Sequence, residues 1–239
     1  VEISTALYFD EMNVDPNNCK MEDRDRFVLS KGHAAPVLYS TLANKGYFDR
    51  DELKGLRKIG RMLQGHPDMK GTPGVDMSTG SLGQGFSVAC GMAMASKLDN
   101  APWRVYTILG DGEVQEGIVW EAAMSAAHYK LDNMVAFLDY NGLQIDGDVA
   151  KVMNIGPIVD KFKSFGWNVI EIDGHDFDQI FAALDMAKET VGKPTMIVAK
   201  TIKGKGVSFM ENEAGWHGTA PSDNDLERAL AELGGADNE

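Results

Sequence analysis

The fold is decided by residues 103–147, which read WRVYTILGDGEVQEGIVWEAAMSAAHYKLDNMVAFLDYNGLQIDG. Two short apolar runs, residues 105–109 and 134–138, predict buried strands. Small apolar residues recur between them at helical spacing, with charged residues on the opposite side: Ile118, Ala122, Ala123, Ala126 and Ala127 against Glu116, Glu121 and Lys130. This order predicts a right-handed βαβ unit within a parallel sheet.

Each of the two strands ends at a glycine-containing turn that carries an oxygen-bearing side chain. Asp111 lies between Gly110 and Gly112, and Asn141 follows about thirty residues later, before Gly142. Such a turn standing alone most often marks a β-hairpin, but the helical pattern after Asp111 excludes a hairpin there. Both turns are therefore expected at the carboxyl edge of the sheet, where open α/β folds bind ligands.

The oxygens of these turns favour a hard divalent cation, Mg²⁺, with Ca²⁺ or Mn²⁺ as substitutes. We expect three ligands: the Asp111 carboxylate, the Asn141 amide oxygen and the Leu143 backbone carbonyl. Magnesium takes a few protein oxygens and completes its octahedron with water and ligand phosphate. The glycines let the backbone approach a diphosphate closely. A helix N-terminus expected directly behind Gly112 would favour the negative charge of that group.

Three of the five histidines lie in loops beside glycine: His33 in LSKGH, His66 in QGHPD and His217 in GWHG. One loop histidine is usually a solvated or capping residue, but three beside glycine favour a site. Imidazolium donates to phosphate oxygens and titrates near neutral pH, so it can also move protons on a sugar hydroxyl. We interpret the other two, His128 and His175, as structural.

Several stretches resemble one enzyme family. GDG followed after about thirty residues by Asn resembles the Mg²⁺–thiamine diphosphate motif, and LGDGEVQEG and NGLQIDG resemble transketolases in particular. Four further segments are similar to transketolase motifs: FVLSKGHA at 27–34, GHPD at 65–68, STGSLGQG at 78–85 and GWHG at 215–218. The resemblance runs nearly end to end, over the N-terminal, diphosphate-binding portion of a transketolase.

The resemblance implies roles for individual residues. It places His33 and His66 against the diphosphate and the donor sugar, and it brings His217 to the diphosphate. Gly80 and Leu82 would border the aminopyrimidine and thiazolium rings of thiamine diphosphate. The catalytic candidates are therefore the three loop histidines.

It also implies roles in and beyond the GDG turn. Gly110 and Gly112 belong to the cofactor-binding turn, and Gly112 would donate a backbone amide to the diphosphate. Glu116 and Glu121 match acids that the family places at a subunit interface, where they link paired cofactor sites. An exposed helix face is the alternative interpretation of both.

The composition of the chain limits the kinds of partner and the cellular location that we expect. The chain has 239 residues and a formal net charge of −13, which disfavours nucleic acid and anionic membranes as partners. Two cysteines, Cys19 and Cys90, have no metal-binding spacing and suit a reducing compartment. Because neither a membrane-length apolar run nor a signal peptide is apparent, we expect a cytoplasmic protein.

Strands alternate with helices along the chain, which predicts one α/β domain over residues 1–239. Its sheet should be doubly wound, mostly parallel and flanked by helices. By resemblance this is the thiamine diphosphate-binding fold. Residues 63–80 form a long irregular segment, which in a compact chain is usually functional. Helices are predicted at 1–14, 34–44, 49–56, 81–98, 157–165, 177–189 and 222–233. Further strands are predicted at 27–29, 167–172 and 195–200.

Transketolase chemistry transfers a two-carbon ketol unit from a ketose phosphate to an aldose phosphate, and by resemblance it needs a second, pyrimidine-binding domain that carries the catalytic Glu. That domain and a further active-site His upstream of Val1 are missing, and the chain ends in the acidic residues 234–239. A truncated single-chain enzyme and the N-terminal subunit of a split enzyme both fit. The end of the chain after Pro221 favours the split form, which implies negligible activity alone and a heterotetramer with a C-terminal subunit. A pentose-phosphate route is the default, and a specialised catabolic sugar the other possibility.

Three alternatives stay open. The alpha subunit of a 2-oxo acid dehydrogenase carries a similar GDG…N pattern, and 1-deoxy-xylulose phosphate synthases share the layout in a longer chain. A non-catalytic subunit that retains the fold is the alternative from another class. GSLGQG is not the dinucleotide-binding G-x-G-x-x-G, and no GK[ST] of a P-loop is present.

Overall fold

A computed structural model describes residues 1–234; residues 235–239, most of the predicted acidic end, lie outside the described part. Five parallel strands form the main sheet in the order β1-β2-β3-β7-β6. They are β1 (Arg26–Leu29), β2 (Val105–Gly110), β3 (Met134–Tyr140), β6 (Asn168–Asp173) and β7 (Thr195–Lys200). A two-stranded antiparallel ribbon, β4 (Leu143–Gln144) and β5 (Gly147–Asp148), follows β3. The predicted α/β class and parallel sheet are confirmed.

Helices cover both faces of the sheet. They are α1 (Glu2–Ala6), α2 (Ala35–Lys45), α3 (Gln84–Leu98), α4 (Gly117–His128), α5 (Val149–Val152), α6 (Ile158–Ser164), α7 (Phe177–Glu189) and α8 (Asp223–Glu232). Single 3₁₀ turns occur at Gly32–Ala34, Arg50–Gly55, Glu113–Gln115 and Ala214–His217, and a wide π turn, Leu7–Glu11, continues α1. In the described part of the chain, no helix is long and apolar enough to cross a membrane.

Alternate residues of the central strands feed two cores. Tyr106 and Ile108 of β2 pack with residues of α1, α2 and α7, whereas Val105 and Leu109 pack with residues of α3, α4 and α6. This alternation is the two-residue period of a strand with both faces covered. The doubly covered sheet therefore fixes where β1, β2, β3 and β7 end, and those ends carry the polar residues described below.

Most predicted bounds differ from the observed ones by a few residues. The predicted helix at 81–98 begins only at Gln84, because Gly83 has a φ of 79°, which is left-handed and non-helical. The predicted helix at 49–56 is a 3₁₀ turn, although Asp49 does cap it by accepting from the Asp51 amide at 2.8 Å. The short ribbon β4–β5 and helix α5 were not predicted, since neither is long enough to show a periodic pattern.

Candidate functional site

Asp111 lies immediately after β2 and is almost fully buried. Its carboxylate accepts hydrogen bonds from two backbone amides, one of Gly112 at 2.8 Å and one of Gly142. The second bond draws the turn after β3 onto the turn after β2, as predicted from the parallel pairing of these strands. Burial raises the pKa of Asp111 to about 6, so a bound cation would have to stabilise its charged form.

The turn after β3 places the other two predicted oxygen ligands. Asn141 Oδ1 accepts from the Leu143 amide at 3.0 Å, which leaves one lone pair of that oxygen for a further partner. Gly142 between them has a φ of 77°, a backbone conformation that a side chain would strain. The turn thus holds Asn141 and Leu143 beside the Gly142 amide that Asp111 binds.

The helix expected behind Gly112 is α4, but it does not begin at once. A 3₁₀ turn over Glu113–Gln115 comes first, and α4 begins at Gly117 with Glu116 as its N-cap. The residue directly behind Gly112 therefore belongs to the 3₁₀ turn, and the N-terminus of α4 lies further along the chain. A Cβ at Gly112 would lie 3.0 Å from Gln144 Cβ. The missing side chain of Gly112 therefore leaves room for Gln144 of β4 to pack against the turn.

The 3₁₀ turn exists because Glu113 is drawn inward. Its buried carboxylate accepts from Ser30 Oγ at 2.5 Å, from the Gly83 amide at 2.8 Å and from the Gly110 amide at 3.0 Å. Ser30 Oγ in turn accepts from the Phe86 amide at 2.9 Å. One carboxylate thus joins the ends of β1 and β2 to the start of α3. Sequence reasoning missed it, since an acid after GDG resembles an exposed helix residue.

We expect Glu113→Ala to lower the free energy of unfolding by about 3 kcal/mol or more, because it leaves buried donors without an acceptor, at a cost of about 1–3 kcal/mol each. Urea denaturation followed by circular dichroism measures the change. Glu121→Ala on the exposed side of α4 is the matched control and should change it by no more than about 0.5 kcal/mol. Equal stabilities of the two variants would contradict this role.

His33 and His217 come together although 184 residues separate them in the chain. Their rings stack with centroids 5.0 Å apart and planes inclined by 28°. Lys203, in the segment after β7, places Nζ 3.3 Å from His217 Nδ1. The pair therefore lies at the same edge as Asp111, and Lys203 is a cation that sequence reasoning missed.

The charge state of these histidines differs from the expectation of imidazolium donors. Partial removal from water, followed by the neighbouring His217 ring and the positive charges of Lys31 and Lys203, lowers the pKa of His33 to about 4. Burial, followed by the charges of Lys203 and Lys31, also lowers the pKa of His217. Without a bound anion, the His33 ring is thus neutral at pH 7, and it donates from one ring nitrogen and accepts at the other.

In the cofactor-free chain, we expect the His33 ring to titrate below pH 5 by NMR. Its folded pKa of about 4 lies below the unfolded value of about 6.5. The neutral ring therefore stabilises the fold above pH 6.5, and this contribution is lost as the pH falls through 6.5 toward 4. His33→Gln should remove that part of the pH dependence of unfolding. A His33 titration midpoint above pH 6 would contradict the assignment.

His66 lies beside Gly80. A Cβ at Gly80 would lie 3.1 Å from His66 Cδ2, so the absence of a side chain there leaves room for the ring. The loop of His66 is held by Tyr39, whose hydroxyl contacts the carbonyl oxygens of Gln64 at 2.9 Å and of His66 at 3.0 Å. Leu82 is half-buried in the turn before α3.

The His33 loop packs on the same segment. A Cβ at Gly32 would lie 2.7 Å from the Gly80 backbone nitrogen. Thr79 Oγ1 donates to the carbonyl of Leu29, the last residue of β1, at 2.8 Å. His33, His66 and Gly80 therefore meet beside the end of β1, although they come from three separate loops.

A second, half-buried acid was also missed. Asp139, next to the end of β3, forms an ion pair with Lys31 and accepts from Thr201 Oγ1. Burial raises its pKa, but the larger combined effect of Lys31 and Thr201 lowers the pKa of Asp139 to about 2. The charge of Asp139 is thus matched by Lys31. In the described part of the chain, the Asp111 carboxylate, unlike that of Asp139, accepts from backbone amides and has no cation bonded to it.

Two of the candidate acids and two histidines remain. Glu116 and Glu121 are exposed on the described chain, which fits both a subunit interface and a plain surface. His175 is structural, as interpreted: Nδ1 bonds Glu2 Oε1 and Nε2 accepts from the Ile202 amide, each at 2.9 Å. His128 is exposed near the end of α4, with its ring edge-on to Tyr129.

The family model described as "Transketolase, thiamine diphosphate binding domain" matches residues 1–239. The chain belongs to the transketolase family. It is 50% identical to the 6-deoxy-6-sulfo-D-fructose transketolase subunit SqwG of Clostridium sp. (strain MSTE9), over 97% of this chain and 84% of that protein. It is 44% identical to a subunit of the apulose-4-phosphate transketolase of Phocaeicola vulgatus, over 98% of this chain and 83% of that protein.

Solved transketolases share the fold. The transketolase from Leishmania mexicana superposes with a TM-score of 0.92 at 33% identity, over 97% of this chain and 36% of that one. The Campylobacter jejuni enzyme gives 0.91 at 35% identity, over 97% and 37%. The chain thus spans about a third of these transketolases but most of the two relatives named as subunits. The predicted transketolase resemblance is confirmed.

The site of this transketolase domain fits a magnesium diphosphate by its donor chemistry. Asp111 offers a buried carboxylate with spare lone pairs, and Asn141 and Leu143 offer amide and carbonyl oxygens on the turn bonded to it. Among residues 1–234, no three His, Cys, Asp or Glu side chains cluster to hold a metal unaided. A cation here would therefore complete its shell with phosphate and water, as Mg²⁺ does.

Proposed function

We propose that this chain is the N-terminal subunit of a split transketolase, which transfers a two-carbon ketol unit from a ketose donor to an aldose acceptor. The observation that carries the proposal is the bond between the Asp111 carboxylate and the Gly142 amide. It joins the two turns of the GDG…N pattern at one edge of the sheet, which supports a cation bound by the oxygens of both turns. The two relatives that the chain covers almost fully are named as transketolase subunits, which supports the same function.

The cofactor in this proposal is thiamine diphosphate with Mg²⁺. Asp111, Asn141 and Leu143 would hold the metal, and the backbone of Gly110 and Gly112 would face the diphosphate. When bound, thiamine diphosphate supplies the electron sink for carbon–carbon bond cleavage. The thiamine diphosphate-binding description of the matching family supports the cofactor.

In this proposal the three loop histidines make polar contacts with the diphosphate and the donor sugar. His33 and His217, neutral in the free chain, would donate hydrogen bonds to diphosphate or sugar oxygens, since each neutral ring has one N–H. His66 would face the donor sugar, and the segment of Gly80 and Leu82 would border the cofactor rings. Lys203 beside His217 would add positive charge toward the diphosphate.

The partner in this proposal is a C-terminal subunit that carries the pyrimidine-binding domain and the catalytic Glu. The naming of both near-full-length relatives as subunits, rather than as whole transketolases, supports a second chain. We propose a heterotetramer in which the faces of Glu116 and Glu121 lie at the interface between paired sites. A cytoplasmic location is part of the proposal and accords with two free cysteines, Cys19 and Cys90.

The sugars are tested with a panel of donors offered to the reconstituted pair. Xylulose 5-phosphate with ribose 5-phosphate represents the pentose-phosphate route, and the names of the relatives add 6-deoxy-6-sulfo-D-fructose and apulose 4-phosphate. The assay measures the shortened aldose released from each donor. Transfer from any of these donors supports the proposal, and absence of transfer from every donor by a folded, cofactor-loaded pair contradicts it.

We expect His66→Ala to lower kcat/KM for the donor by about a hundredfold, through a higher KM, a lower kcat or both, because a polar contact with the sugar is lost. The Kd of thiamine diphosphate should stay within about threefold of the wild type, since Asp111 and His217 are intact. Steady-state kinetics and calorimetry on the pair measure both. Loss of cofactor binding with donor kinetics spared would contradict the role of His66.

A further inference from the structure

Helix α8 lies on the segment between β7 and itself, residues 203–217, called here the His217 loop. The Arg228 guanidinium carbon is 4.1 Å from the centroid of the Phe209 ring. One turn further along α8, the Glu232 carboxylate accepts from both the amide and the hydroxyl of Ser208, the latter at 2.8 Å. Two side chains of one helix thus hold two consecutive residues of the loop.

From these anchors the contacts lead to the candidate site. The rings of Phe209 and Trp216 meet edge to face at 5.8 Å, and Trp216 Nε1 donates to the Phe209 carbonyl at 3.0 Å. Trp216 directly precedes His217. The Asn212 amide donates to the Lys203 carbonyl at 2.9 Å, so the loop folds back on its own beginning. Both Lys203 and His217 therefore depend on how this loop is held.

The loop has little support from the sheet. It begins after the last residue of β7 and contains Gly204 and Gly206, both with positive φ. Leu233, just past α8, covers Gly206, since a Cβ there would lie 3.0 Å from Leu233 Cδ2. Helix α8 itself begins with a capping box between Ser222 and Asp225, which stabilises its first turn.

We propose that Arg228 and Glu232 are positioning residues of the transketolase site: through Ser208, Phe209 and Trp216 they set the place of His217 and Lys203. The role rests on the proposed function only for what His217 and Lys203 bind; the contact pathway itself is a property of this chain. Neither Arg228 nor Glu232 would touch cofactor or substrate.

The test compares Arg228→Ala, Glu232→Ala and the double variant, each in the two-subunit complex. Alanine is the best helix former, so α8 stays helical. Hydrogen exchange of the amides of residues 206–217 should accelerate in all three. The Kd of magnesium thiamine diphosphate should rise about threefold in each single variant and about tenfold in the double, in line with exposed cation–π and hydrogen-bond contacts.

Two further variants separate positioning from general destabilisation. Arg228→Lys keeps a cation over Phe209 and should restore most of the affinity, while Glu227→Ala, on an exposed part of the same helix, should change neither readout. Faster loop exchange with unchanged cofactor affinity would overturn the proposal, as would equal behaviour of Arg228→Ala and Glu227→Ala. If the wild-type pair failed to transfer ketol units, the proposed function would fall, while exchange and cofactor affinity would still decide this role.

Discussion

Asp111→Ala should abolish metal-dependent binding of thiamine diphosphate while leaving the fold intact. The change removes the carboxylate that the structure places, buried, against the turn of Asn141 and Leu143. Loss of residues that only support a metal ligand typically costs 10–100-fold in metal affinity, so loss of a ligand should raise the cofactor Kd at least about a hundredfold. Calorimetry on the two-subunit complex, with Mg²⁺ and with excess chelator, measures this.

The fold should survive because the Asp111 carboxylate costs free energy in the cofactor-free chain. Burial raises its pKa to about 6, so its charged form is disfavoured there. The unpaired amides of Gly112 and Gly142 lie in turns where water can replace the lost acceptor. Thermal unfolding of the free variant should therefore stay within about 4 °C of the wild type.

Asp146→Ala is the matched control for this variant. Asp146 is an exposed acid in the turn of the β4–β5 ribbon, close in sequence to the turn of Asn141 and Leu143. Its removal changes the net charge as Asp111→Ala does, yet it should leave cofactor affinity unchanged. Wild-type affinity for thiamine diphosphate with Mg²⁺ in Asp111→Ala would contradict the metal assignment.

The edge-forming elements could be predicted because their signals are local. The apolar runs at 105–109 and 134–138 are strands, and each ends at its polar turn. Parallel pairing of β2 with β3 then brings Asp111 to the Asn141–Gly142 turn, as the βαβ rule requires. Glycine could be interpreted in the same way, since Gly142 has the left-handed backbone that a tight turn needs.

The contacts that organise the site could not be predicted, because they depend on side chains far apart in the chain. Glu113 bonds Ser30 across 83 residues, and Lys31 pairs with Asp139 across 108. No spacing rule indicates such partners. The inward turn of Glu113 is also why α4 begins only at Gly117, so tertiary contacts moved the start of the predicted helix away from Gly112.

The histidines were predicted as candidates, but their protonation was not. A sequence gives only the ordinary imidazole pKa, whereas partial burial, then the stacked ring of His217 and the cations Lys31 and Lys203, lower the pKa of His33. A diphosphate arriving at this edge would meet Lys31 and Lys203 as its charged partners. The neutral histidines would then orient hydrogen bonds to the diphosphate and would add little positive charge.

We propose that this chain is half of an active site. The described residues provide the turns of Asp111 and Asn141 and the histidine cluster, and the proposed partner provides the residues that would grip the aminopyrimidine. Catalysis needs both sides because positioning of reacting groups supplies much of the rate enhancement. We therefore expect the purified chain alone to fold and to transfer no measurable ketol units, even at saturating thiamine diphosphate and Mg²⁺.

The most direct measurement is ketol transfer by the chain alone, by a C-terminal pyrimidine-domain partner alone and by their mixture, at equal concentration and saturating cofactor. The same preparation of Asp111→Ala with the partner serves as the inactive control. We predict turnover only in the wild-type mixture, with an optimum at equimolar subunits. Turnover by this chain alone, or a folded and cofactor-loaded mixture that transfers no ketol unit from any donor of the panel, would contradict the account.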